Sequence, residues 1–289
     1  MPARRVVLPL LALVLALAGC APAATDTDSY GDDGGLTIGV VQGRDDRGAR
    51  IVAIELTNNR DDAITLTRAT LDGPQLAAPT SWDRGTTLRP GLTVDLRVQL
   101  GDPACPLPDD ITPSVTVEFL TAEGAERSVT AVPEQPAGVL DRIAQEDCLI
   151  VGVDAQADIS VKSIEYTPGS KVPAVLVLGI EPNDVDGSVT IVGVRATVLL
   201  GLVDPEGNLS QGYPIHRVLE RGGDASDLRI SLVPNRCDTH AVAEDKRGTF
   251  IPLEVELENG VTGTYYVTMP HTQKGQLYSF VPDYCPAVP

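Results

Sequence analysis

Lysine is scarce in this 289-residue chain, with four lysines against eighteen arginines. Histidine occurs three times, methionine twice, tryptophan once, and aromatic residues make up only 4%. These shortages exclude several function classes. The aromatic share is low for a carbohydrate-binding face. Met269, the one methionine beyond residue 1, argues against a methionine-rich copper(I) carrier. No CxxC occurs, and no histidine stands at ligand spacing beside a cysteine pair, which argues against a structural zinc site. G-x-S-x-G, H-E-x-x-H and a phosphate loop are all missing, which leaves an acid pair among the forty carboxylates as the one enzyme chemistry without a motif to look for. Long apolar runs are missing too. Val6 to Ala18 falls short of the about twenty residues a membrane-spanning helix needs.

Acids outnumber bases, giving a net charge of −18. Such a surface disfavours nucleic acid and anionic lipid headgroups. The N-terminus carries Arg4 and Arg5, then the short apolar run, then Leu17-Ala18-Gly19-Cys20. This is the layout of an export signal. Its end resembles the lipobox of bacterial lipoproteins. The resemblance implies cleavage after Gly19 and diacylglycerol and palmitate on Cys20. It implies a chain held to the outer face of the cell membrane by that anchor. Cleavage at 19 removes two arginines and no acid, taking the charge to −20. With its arginine bias, the chain is similar to the uncharacterised lipoproteins of GC-rich Gram-positive bacteria, a likeness that implies no activity. Residues 20–35 are mostly Asp, Thr, Ala and Gly and read as a flexible tether.

One stretch occurs twice. Asp95-Leu-Arg-Val-Gln-Leu100 precedes Cys105 by five residues, and Asp227-Leu-Arg-Ile-Ser-Leu232 precedes Cys237 by five. Pro133 and Pro270 each stand fifteen residues before a cysteine, Cys148 and Cys285, behind similar Val-Thr runs. Arg68-Ala-Thr-Leu71 matches Arg195-Ala-Thr-Val198. These matches read as an internal duplication. Four cysteines remain once Cys20 is lipidated, and they allow three pairings. The duplication selects Cys105–Cys148 and Cys237–Cys285, one disulfide per copy in an oxidising compartment. Each would close a loop of about 45 residues, worth roughly 3–4 kcal/mol.

From Leu36 onward, short runs alternate apolar and polar residues, the mark of half-buried antiparallel strands. Strands are expected over 36–41, 50–57, 63–71, 92–100, 115–121 and 126–132. Leu92, Val94, Leu96, Val98 and Leu100 should share one face. Asp141 to Glu146 could make one helical turn. In the second copy, 149–164 reads as a long first strand region, followed by 173–181. The apolar run 189–203 reads as a buried strand pair, and Pro205 to Asn208 as a turn. Asn259-Gly260 joins the last hairpin, 250–257 with 261–269. About seven strands in roughly 110 residues is the immunoglobulin-like pattern. The expected fold is therefore all-β, two tandem immunoglobulin-like antiparallel β-sandwich domains at 36–148 and 149–289. The Cys–Trp–Cys hallmark of antibody domains is absent.

The second copy is longer between its first cysteine and the next strand. Cys237 to Val255 exceeds Cys105 to Val117 by six residues. That extension holds the candidate binding residues Arg236, Asp238, His240, Glu244, Asp245, Lys246 and Arg247. His240 and Glu244 would share a helix face. The alternative is a short capped helix whose charges pair with one another and with water. Asn183 to Gly187 has a faint calcium-loop look but lacks the distal acid and reads as a turn. The expected function is a non-catalytic binding or assembly module at the cell envelope, with an envelope protein as partner and no cofactor. The alternatives are a metal-dependent envelope enzyme or a solute-binding accessory lipoprotein.

Overall fold

The computed structural model describes residues 32–33, 35–136, 138–238, 242 and 249–285. The first unit is β1 (Asp32–Asp33), β2 (Leu36–Val41), β3 (Ile51–Asn58), β4 (Ile64–Asp72), β5 (Thr80–Trp82), β6 (Thr86–Leu88), β7 (Thr93–Gln99), β8 (Ser114–Leu120) and β9 (Glu126–Ala131). A helix follows, α1 (Val139–Gln156). The second unit is β10 (Ala157–Glu165), β11 (Ala174–Pro182), β12 (Ser188–Arg195), β13 (Leu200–Val203), β14 (Leu209–Ser210), β15 (Gly212–Glu220), β16 (Ser226–Pro234), β17 (Phe250–Leu257), β18 (Thr262–Thr268) and α2 (His271–Tyr284).

Each unit packs two antiparallel sheets face to face. In the first they run β1-β2-β3-β7 and β5-β4-β8-β9, with β6 also on β4. In the second they run β10-β11-β16-β13-β14 and β15-β12-β17-β18. In both units the first, second and fifth principal strands share one sheet, and the third, sixth and seventh share the other. That is the immunoglobulin-like arrangement. Period-two side chains fill each core. Ile38, Ile54, Leu66 and Val117 are buried in the first, and Leu176, Leu178, Ile191 and Leu253 in the second.

Both disulfides form, Cys105–Cys148 and Cys237–Cys285, across sequence separations of 43 and 48. Each ties the loop after the fifth strand to the helical segment after the seventh, and Cys285 is buried in the second core. They fit an oxidising, extracytoplasmic setting. No helix among the described residues is long and apolar enough to cross a membrane.

Several expectations are corrected. Residues 149–156 are helix, not strand, because α1 runs unbroken from Val139 through the expected boundary at 148/149. Leu140 and Ile143 enter the first core, and Leu149 and Val153 enter the second. Leu92 is 53% exposed, since it lies in the turn before β7 and escapes its alternation. Residues 189–203 do form two strands, but β12 and β13 lie in opposite sheets. Asp32 and Asp33, assigned to the tether, pair with Thr37 and Leu36.

The internal matches also shift. Both third strands carry a bulge, between Leu66 and Arg68 in β4 and between Ile191 and Gly193 in β12. Superposing the bulges sets Phe119 against Val255 and Arg68 against Gly193. The Arg-Ala-Thr match is therefore two residues out of register. The same register makes the insertion after Cys237 four residues rather than six.

Candidate functional site

Most of the expected binding residues, His240, Glu244, Asp245, Lys246 and Arg247, lie outside the described residues. Arg236 and Asp238 are described. They pair with each other through Nε and Oδ2 at 2.8 Å on an exposed loop. His216 lies in β15 and His271 at the start of α2. No group of three or more His, Cys, Asp or Glu among the described residues is placed to hold a metal ion. The acids of the calcium-like turn are held by Arg221, which donates to Asp184 at 2.6 Å and Asp186 at 2.5 Å.

The structure brings together a different constellation, where α1 passes from one sandwich to the other. A groove of about 870 Å³ opens there. Its first wall is the β2–β3 loop, with Gln42, Arg47 and Arg50. The groove-facing flank of α1, with exposed Glu146 and Ile150 and the largely buried Asp147, forms the floor. The second wall is β18 with its neighbours Val261 and Phe250. Ile150, Val261 and Tyr266 are large apolar side chains left exposed in one place.

An ion pair fixes the floor against the first wall. Arg50 Nε donates to Asp147 Oδ1 at 3.0 Å, Nη2 to Oδ2 at 2.6 Å, and Nη1 to the Gly101 carbonyl at 2.7 Å. Such forked, charge-assisted contacts fix geometry better than single ones. Arg50 adopts a left-handed φ of 51°, rare for a side-chain-bearing residue, which turns the chain into β3. Burial pushes the Asp147 carboxyl above the ordinary carboxylate value, against the lowering by Arg50's hydrogen bonds and charge. Beside it, Arg142 donates to Glu146 at 2.9 Å and to Gln42 at 2.7 Å. Arg47 is exposed in the groove wall with no ion-pair partner among the described residues.

The far half of α1 is seated on the second sandwich by close backbone approach. A Cβ at Gly152 would meet Leu257 Cδ1 at 2.5 Å, and one at Gly263 would meet Leu149 Cδ2 at 2.6 Å. Tyr265 donates its hydroxyl to Asp154 Oδ1 at 2.6 Å. Burial, then that carboxylate, pushes the tyrosine's pKa far up. The groove therefore sits between two sandwiches pinned to one helix. It presents apolar side chains, an available cation and a strand edge.

No protein-family model matches the chain, and no curated protein matches it. Among solved structures it is similar to the YadV chaperone, at 11% identity and a TM-score of 0.22 over 75% of this chain and 92% of that one. It is also similar to the calcium-binding domain CBD12 of CALX1.1, at 11% identity and 0.23 over 78% of each chain. The BSP domain of a biofilm-associated protein matches at 10% identity and 0.24, over 85% of this chain and 62% of that one. Similarity this slight carries no argument, and the fold assignment rests on the sheet order and cores given above.

Proposed function

We propose that the protein is a lipid-anchored, extracytoplasmic binding or assembly module of the bacterial cell envelope, non-catalytic, and that the junction groove receives its protein partner. One observation carries this reading. Ile150, Val261 and Tyr266 stand exposed together in a cleft whose walls are fixed to a single helix. Clustered exposed apolar side chains of this kind mark interaction sites. A pre-fixed cleft also avoids part of the ordering cost of association. The candidate residues between 238 and 247 precede the groove residue Phe250 in sequence and are further contact candidates. The lipobox-like Leu17 to Cys20 supports anchoring. The repeated Asp-Leu-Arg stretch, on β7 and β16, supports origin by duplication.

In-cell photo-crosslinking tests the reading. A crosslinker at Ile150 or Val261 should capture one discrete envelope protein, and one at exposed Val172 should not. Identical adducts from all three positions, or none from the groove, would refute it. Cys20→Ser should release the chain from the membrane fraction, and retention of that variant would remove the anchor from the proposal.

A further inference from the structure

We propose that the junction groove is bipolar and takes a partner segment with an apolar centre, an acid on one flank and a base on the other. This rests on the groove being the partner site and specifies what enters it. The charges along the floor cancel. Arg50 is paired with Asp147 and Arg142 with Glu146, so the floor presents no net charge. What is left over stands at the two sides. On the first wall, Arg47 is exposed and has no ion-pair partner among the described residues.

On the second wall, the β18 residues Thr262, Thr264 and Thr268 line the groove and carry no charge. One strand behind them the wall turns acidic. Glu256 of β17 stands directly across the ladder from Thr262, and Glu254 from Thr264. Residues opposed across a ladder point to the same face of the sheet, so both carboxylates share the face of these threonines. Arg195 holds Glu254 at 3.4 Å. Glu256 is exposed and has no ion-pair partner among the described residues. Between the two surplus charges lies an apolar strip, exposed Ile150 on α1 and exposed Val261 just before β18. Across the groove the order is cation, apolar strip, carboxylate.

That order chooses the occupant. A segment that buries its apolar centre on Ile150 and Val261 gains from charge in one orientation only, with its acid toward Arg47 and its base toward Glu256. Charge complementarity of this kind fixes orientation and rejects wrong partners more than it adds affinity. At longer range the net charge of −18 acts on the whole partner. It repels a second copy of this chain and attracts a protein that is basic outside the segment. The segment itself, with one acid and one base, is neutral and meets no such repulsion.

The test uses the full chain and peptides selected on it from a displayed random-peptide library. Selected peptides should carry an acid and a base on opposite sides of an apolar centre. Arg47→Glu and Glu256→Lys should each weaken a selected peptide on the order of fivefold. Reversing the peptide's acid should restore binding to Arg47→Glu, and reversing its base should restore binding to Glu256→Lys. Glu206→Lys makes the same change of net charge as Glu256→Lys on an exposed turn and should leave binding unchanged. Selecting no peptide would overturn the inference. Failure of the reversed peptides to restore binding, or an equal loss on Glu206→Lys, would also overturn it, and a loss on Ile150→Glu would then still keep the groove as the partner site. A chain that dimerises and becomes monomeric on Ile150→Glu would make a second copy the occupant and overturn it. Peptide binding indifferent to Ile150→Glu would remove the groove itself.

Discussion

Arg50→Ala should weaken the first sandwich by an amount that depends on pH, and the direction of that dependence tests the account of the junction. The Asp147 side chain is 12% exposed and that of Arg50 28%. Removing one member of a fully buried pair costs about 3–5 kcal/mol. Partial exposure of this pair discounts that to about 2 kcal/mol, which lowers the Tm of a unit of roughly 110 residues by about 8 °C. In the wild type, burial already holds the Asp147 pKa above its unfolded value despite Arg50. Losing the arginine raises it further. A carboxyl whose folded pKa is raised stabilises the fold at low pH, and this contribution is lost as pH rises through the folded value. The Arg50→Ala penalty should therefore be largest near neutrality and shrink as the pH approaches the raised Asp147 pKa. Trp82, the single tryptophan, is 9% exposed in the first core, so its fluorescence during urea unfolding reports this unit alone. A penalty that does not shrink as the pH is lowered from neutrality through the carboxylate range would refute the claim that Arg50 compensates a buried carboxylate.

Strands and turns were legible where period-two alternation met strong turn residues. β2 spans the expected Leu36 to Val41, and Gly260 takes the φ of 83° that an Asn-Gly hairpin requires. The same periodicity explains the register errors. A pattern of period two looks unchanged after a slip of two, so alternation alone could not detect a two-residue error in matching the two third strands. α1 was hidden for a different reason. Leu140 and Leu149 are nine residues apart, which at 3.6 residues per turn places them about 180° apart around the helix. Each half buries its own stripe in a different core, so no single amphipathic face appears in the sequence. α2 contains Pro282 and buries only Leu277, Phe280 and Val281. The groove was not legible at all. Arg47, Ile150 and Val261 are exposed residues from three distant segments, and only the helix crossing the junction assembles them.

Two further outcomes are expected. Replacing both Cys105 and Cys148 by Ala should lower the Trp82-reported stability by roughly 3–4 kcal/mol, whereas replacing Cys237 and Cys285 should leave that transition in place. Equal effects of the two pairs on Trp82 would mean that the sandwiches unfold as one unit. The last outcome concerns how α1 is seated. Gly152→Ala gains up to about 1 kcal/mol of helix propensity, but its new methyl meets Leu257 Cδ1 at 2.5 Å, and overpacking costs about 1–3 kcal/mol. The net effect should be a loss of about 1 kcal/mol in the second sandwich, read by the near-ultraviolet dichroism of its tyrosines. In a Leu257→Ala background the clash is gone and propensity acts alone, so the same substitution should stabilise. Close approach of α1 to β17 predicts that reversal of sign. The same sign in both backgrounds would show that Gly152 is not where the helix is held.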